Sequence, residues 1–293
     1  MERPIEVMGE GLGHPEGPDM LPDGRVVFVE TYTSDVKVWE QGKGISVYGY
    51  CGGGTNACIV GSDGDVYVTQ NGGTVGAWRA PEMVAPSIQR IRPDGTVSYV
   101  ATEIDGIPLG APNDLAFGPN GSLYFTDSGE WDPVNKIDPS RIFELFPDGT
   151  GRVLAELEPV YTNGIAVDPD GSVVWVESYT RAVRRLRPDG SVEHLCELPE
   201  GHVPDGFKLD AEGNYWICVF MAGGLDVIAP DGTYLDFLEC PHVPLNCCFD
   251  GSDMWVTEFG EITEVTAEAP MIGRLLRVRL GVQGMEPFRG SIA

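Results

Sequence analysis

The chain has 293 residues, 42% hydrophobic and 22% charged, the composition of an ordinary globular protein with ample material for a core. Its 45 acidic side chains against 19 basic ones give a net charge of −26, which argues against nucleic-acid phosphates and anionic lipid as partners and favours cations. No apolar run approaches the ~18 residues of a membrane span, the first residues lack the regions of a secretory signal, and seven cysteines without Cys-x-x-Cys spacing fit reduced thiols, so a cytoplasmic protein with no membrane partner is expected.

In chain order, residues 5–8 form a first predicted strand, followed by six copies of one pattern: apolar strand, tight turn, second strand. The copies run over residues 17–30, 57–70, 114–127, 164–177, 206–219 and 247–258. Their turns include Pro22-Asp23-Gly24, Ser62-Asp63-Gly64, Pro119-Asn120-Gly121, Pro169-Asp170-Gly171 and Ala211-Glu212-Gly213. Proline presets φ, aspartate or asparagine bonds the local backbone, and glycine accepts positive φ, so each is a hairpin turn. A second set, around Asp94, Asp148, Asp189 and Asp231, joins two further strands after four of the copies. One copy of each makes a four-stranded meander, and six in this length allow about 49 residues apiece, the size of a propeller blade. The expectation is all-β: a single domain over 1–293, a six-bladed propeller of four-stranded antiparallel blades, with strand 5–8 closing the ring beside 275–280.

Strand parity sorts the connections. The short Pro-Asp-Gly turns fall on one face, and the chain leading into each innermost strand falls on the other, with the long connections 71–87, 128–140 and 259–271. Function gathers where loops are long and irregular. In register, the residues leading into the innermost strands are Glu16, Asn56, Asn113, Asn163, Asp205 and Asn246. Innermost strands line the central channel, so six oxygen-bearing side chains should converge at one end of it. Two carboxylates with amide oxygens suit one hard divalent cation: Ca²⁺ first, with Mg²⁺ or Mn²⁺ as alternatives and Zn²⁺ if positions stay open. His14 and His202 lie near this set and are expected beside it rather than in it. One aromatic per blade follows the second strand, namely Tyr32, Trp78, Trp131, Tyr179, Phe220 and Phe259, and together they would rim the metal with an apolar pocket. Glu30, Asp127, Glu177 and Glu258, at the second-strand ends, are expected to cap turns. No Ser-His-Asp or Cys-His arrangement has motif support.

The strings His14-Pro15-Glu16-Gly17-Pro18, Pro112-Asn113-Asp114-Leu115-Ala116, Leu123-Tyr124-Phe125-Thr126-Asp127, Thr162-Asn163-Gly164-Ile165-Ala166 and Pro204-Asp205-Gly206 resemble the regucalcin/gluconolactonase/luciferin-regenerating-enzyme family of six-bladed propellers. They are more distantly similar to the diisopropylfluorophosphatase group. The resemblance implies metal ligands at Glu16, Asn163 and Asp205, and a substrate-contacting asparagine at Asn113. It implies a metal-dependent lactonase in which Asp205 handles the proton of the attacking water. The alternatives are a phosphotriesterase-like hydrolase on the same scaffold and a non-catalytic calcium-binding propeller. Ala111 stands where some sugar lactonases carry arginine, which turns the expected small-molecule substrate toward a less polar lactone or ester.

Overall fold

The computed structural model describes residues 3–261 and 270–293. Six four-stranded antiparallel sheets follow one another along the chain. Their innermost strands are Pro15–Met20, Thr55–Val60, Pro112–Phe117, Thr162–Val167, Pro204–Leu209 and Pro244–Asp250. Each packs against the next, and the last against the first, so the sheets are blades 1 to 6 of a closed propeller. The second strands end on Glu30, Gln70, Asp127, Glu177, Val219 and Glu258, the last residues of the six copies seen in the sequence. The innermost strands begin two or three residues before those copies and so take in the oxygen-bearing ring.

Blade 6 consists of Pro244–Asp250, Asp253–Glu258, Gly273–Val278 and, as its outer strand, Ile5–Leu12. The predicted closure is therefore present, four residues longer at its C-terminal end than residues 5–8. Across the seam between blades 6 and 1, Trp39 and Trp255 pack with ring centroids 4.7 Å apart and planes tilted by 51°, among buried Leu12, Phe28, Cys248 and Leu275. An aromatic pair of this kind adds about 0.5–1.5 kcal/mol beyond the area it buries. The other blade interfaces repeat the logic, with apolar faces of neighbouring sheets interleaved around Trp175, Tyr67, Tyr215, Phe125 and Phe143.

Two features were not foreseen. Two short ribbons, Thr74–Val75 with Trp78–Arg79 and Glu103–Ile104 with Ile107–Pro108, order the connections on either side of blade 2's outer strands. The C-terminal residues cross the face of the hairpin turns: Met285 N–H donates to Leu209 O at 3.0 Å, Arg289 pairs with Asp19, and Ile292 N–H donates to the Tyr67 hydroxyl at 2.9 Å. All seven cysteines are free and six are buried. Of the long connection 259–271, residues 262–269 lie outside the described residues.

Candidate functional site

A turn-flanked β-strand does not by itself aim side chains along a channel axis. Here the aim comes from a register irregularity at the start of every innermost strand, between Glu16 and Asp19, Thr55 and Ala57, Pro112 and Leu115, Thr162 and Ile165, Pro204 and Phe207, and Pro244 and Asn246. Bulges re-aim side chains and increase local twist. The glycine after three of the ring residues then lets strands converge. A Cβ on Gly17, whose φ is +37°, would stand 2.3 Å from Ala57 Cα, and one on Gly206 would stand 2.0 Å from the Asn246 amide. Glu-Gly and Asp-Gly in this sequence are thus packing requirements as much as chemical ones.

Backbone pins fix the same region. The carbonyls of His14, Gly54, Ala111, Tyr161, Val203 and Val243 accept N–H bonds of 2.8–3.1 Å from Thr31, Asn71, Ser128, Ser178, Phe220 and Phe259. The acids at the second-strand ends accept from the incoming loops: Glu30 from Gly13 N–H at 2.6 Å, Asp127 from Gly110 and Ala111 N–H at 2.8 and 2.6 Å, and Glu258 from His242 N–H at 3.2 Å. Gln70 does the same for Gly54 at 2.6 Å. Glu177 instead takes the Thr180 hydroxyl at 2.6 Å and the Trp175 indole at 3.3 Å.

The result is a cavity of about 200 Å³ at the loop-rich end of the channel, whose walls include Glu16, Asn56, Asn113, Asn163 and Asp205. Five of the six ring residues therefore meet. Asn246 lies beneath, buried, with its Nδ2 donating to Asp114 Oδ2 at 3.2 Å. Asn56 is turned partly aside, donating through Nδ2 to the Asn113 carbonyl at 3.1 Å. Asn163 donates through Nδ2 to Ser178 Oγ at 3.2 Å, which fixes its amide orientation. Asn113 Oδ1 is buried and has no hydrogen-bond partner among the described residues.

Burial, the neighbouring Asp205 and then Asp114 push the Glu16 carboxyl well above its usual range, against a bond from Gly17 N–H and contact with Asn246. Asp205 is pushed up by burial and by Asp114, partly offset by the Asn163 side chain and Gly206 N–H. Two carboxylates and a buried orphan amide oxygen form a donor set that a hard divalent cation would satisfy. Among the described residues there is no cluster of three His, Cys, Asp or Glu side chains that could hold a metal; the set that meets here is two carboxylates with amide oxygens. The residues present fit an oxygen-ligated ion.

The rim differs from the expectation in detail. Tyr32, Trp131, Phe220 and Phe259 line the cavity, whereas Trp78 backs Tyr32 at 5.1 Å and Tyr179 backs Trp131 at 5.1 Å. Two aromatic residues at the mouth escaped the sequence reading as cavity walls. His14 packs edge-on against Phe259 and Tyr32, at 5.0 and 5.3 Å, and Tyr161 against Trp131 at 4.7 Å. Both hold positive φ, 58° and 52°, at the position two residues before a ring residue, and they come from opposite blades, 1 and 4. Burial lowers the His14 imidazole to about 4, so it is neutral, and its Nδ1 has no partner among the described residues. Burial, and then Asp205, hold the Tyr161 hydroxyl in its protonated form. The signal was present in the sequence: the same register that aligned the ring aligns His14 and Tyr161 two residues upstream of it. Below the floor, Lys208 Nζ stands 3.9 Å from Asp114 Oδ2, a cation–carboxylate pair in the channel that the sequence pattern did not single out.

The SMP-30/Gluconolactonase/LRE-like region matches residues 14–259. The chain is similar to a gluconolactonase of Zymomonas mobilis, 27% identical over 84% of this chain and 76% of that protein. It is also similar to a regucalcin of Danio rerio, 35% identical over 64% of this chain and 68% of that protein. Its fold matches the crystal structure of a calcium-binding protein, regucalcin, from Agrobacterium tumefaciens, with a TM-score of 0.78 and 20% identity over 100% of this chain and 97% of that one. With the match running over most of the chain and the propeller fold in agreement, the chain belongs to the SMP-30/gluconolactonase/LRE-like family.

Proposed function

We propose that the protein is a divalent-metal-dependent hydrolase that opens a lactone ring. Family membership and the similarity to a gluconolactonase support the class of reaction. The observation that carries the reading is the meeting of Glu16, Asp205 and the unpartnered Asn113 Oδ1 at the floor of an aromatic-walled cavity. Glu16, Asn163 and Asp205 would hold the ion. Calcium suits an all-oxygen set, with zinc, manganese and magnesium as alternatives. Once bound, such an ion polarises a carbonyl and lowers the pKa of water beside it.

The chain's own side chains do the rest. The aromatic walls exclude bulk water and hold the ring over the floor. Through its amide Nδ2, Asn113 orients the carbonyl oxygen, where negative charge develops, and the Tyr161 hydroxyl offers a second donor. Asp205 takes a proton from the water that attacks the carbonyl carbon. The acyl carbon–ring oxygen bond breaks, the ring oxygen takes up a proton, and the product is the open hydroxy acid.

The test is chelation followed by return of single cations, with turnover of a lactone panel and a phosphotriester read by a pH indicator. Loss on chelation and recovery with one divalent ion on lactones supports the reading. Full lactonase activity in metal-stripped protein removes the metal from it, and turnover of the phosphotriester alone replaces the reaction.

A further inference from the structure

A second cavity, about 370 Å³, lies beside the first between blades 2 and 3. The two share a wall made of Asn71, Thr74, Ala111 and Gly129. Small residues concentrate where they meet, since Gly72 and Gly110 also line the second cavity. Ala111 is held rigidly there. Its N–H donates to Asp127 Oδ1 at 2.6 Å and its carbonyl accepts from Ser128 N–H at 3.1 Å. The backbone is fixed, so the size of side chain 111 decides how much wall stands between the cavities. At the same register, blades 1 and 4 carry His14 and Tyr161, whose rings fill the corresponding space on their sides. The mouth is therefore closed by rings toward two blades and left low at Ala111.

The far wall of the second cavity brings together Glu130, Asp138 and Arg141 with the apolar Met83, Val84 and Pro139. Each charged group has a protein contact: Asp138 accepts from Glu130 N–H at 2.9 Å, Glu130 Oε1 lies 3.3 Å from Arg79 Nη2, and Arg141 Nε lies 3.4 Å from Glu156 Oε1. They still face the space, with the Arg141 side chain 26% exposed and that of Glu130 49%. An anionic arm would meet several carboxylates, and a wholly apolar arm would strip water from both signs of charge without replacing it. A hydroxyl both donates to carboxylate and accepts from guanidinium, so it satisfies the two at once.

We propose that this second cavity is a substrate subsite that takes a neutral, hydroxyl-bearing arm attached to the lactone ring, with Ala111 keeping the way into it open. The inference rests on the lactone reading of the first cavity. It revises the sequence expectation at Ala111: the missing arginine makes room for an extended substrate, with a ring against aromatics and a polar arm beyond it.

The experiment compares an aldonolactone with the same lactone carrying one further glycosyl unit, and the two corresponding lactams as non-hydrolysable probes. Turnover is followed by pH indicator and lactam binding by the fluorescence of Trp131, which lines the first cavity. In the wild type the glycosylated compound should have the higher kcat/KM, and its lactam should bind about tenfold tighter or more. Ala111→Phe should collapse both ratios toward one, and Arg141→Gln should reduce them by a smaller factor. If neither lactone is turned over while the glycosylated lactam keeps its binding preference and loses it in Ala111→Phe, the reaction assigned above fails and the subsite stands. Equal binding of the two lactams by the wild type, no binding of either, or a ratio that survives Ala111→Phe overturns the subsite.

Discussion

The Thr126 hydroxyl on blade 3 donates to the carbonyl of Asn163 on blade 4 at 2.8 Å and accepts the N–H of Asp114 at 3.1 Å. One blade earlier Thr69 does the same, donating to Asn113 O at 2.6 Å and accepting from Ala57 N–H at 2.8 Å. The backbone of each asparagine at the cavity floor is thus pinned by the preceding blade, so a metal or substrate held there is held by two sheets at once. Thr126→Val keeps the volume and removes the side-chain partner of two buried backbone groups, a cost of about 1–3 kcal/mol for each that is left unpaired. Thermal unfolding should show that loss. Metal affinity should fall as well, because Asn163 is no longer fixed; unchanged affinity alongside the stability loss would mean the threonine serves only the fold.

Asp205→Asn and Asn163→Ala separate two roles within the ligand set. The first retains an oxygen donor and nearly the same shape but cannot accept the water's proton. Turnover at saturating metal should drop by roughly 10²- to 10⁴-fold, with the ion still retained. The second deletes a neutral donor, so the metal concentration needed for half-maximal rate should rise and added metal should recover much of the activity. Equal rescue of both variants would reduce Asp205 to a ligand.

His14 gives a pH signature in stability. Its pKa is about 4 in the fold against the 6.5 of a free imidazole, so between those values the unfolded chain binds more protons than the native one. Stability contributed by neutral His14 is complete above about pH 6.5 and is lost as pH falls toward 4. The full shift corresponds to at most about 3 kcal/mol, less because part of the ring edge faces the wet cavity. Asparagine tolerates positive φ, so His14→Asn should keep the backbone and remove this slope. The difference between wild-type and variant denaturation midpoints, followed from pH 7.5 to 4.5, reads it directly; parallel curves would contradict the buried neutral imidazole.

Lys208 sits beneath the floor as the counter-charge of Asp114. Lys208→Met should leave that carboxylate uncompensated in a confined space, lowering stability while making the floor more negative. Divalent-ion binding, measured by calorimetry, should tighten several-fold, since removing a nearby positive charge favours a cation. Weaker binding would show that Lys208 supports the geometry of the floor more than its charge opposes the ion.

The propeller was legible because its determinants are local and repeated. A Pro-Asp-Gly turn fixes φ at two adjacent residues whatever surrounds it, and alternation of two turn settings counts strands, blades and faces. The same repetition aligned Glu16, Asn56, Asn113, Asn163, Asp205 and Asn246, because an equivalent place in each blade is an equivalent place around the channel. What repetition cannot supply is how far each copy departs from the average. The tertiary structure alone decided that Asn246 drops below the floor to bond Asp114 while Asn113 keeps a free oxygen, that Trp78 and Tyr179 stand behind the rim, and that Ala111 lies between two cavities. Those outcomes depend on bulges, on glycines that let one strand approach another, and on contacts between residues dozens of positions apart, and no local pattern encodes distances of that kind.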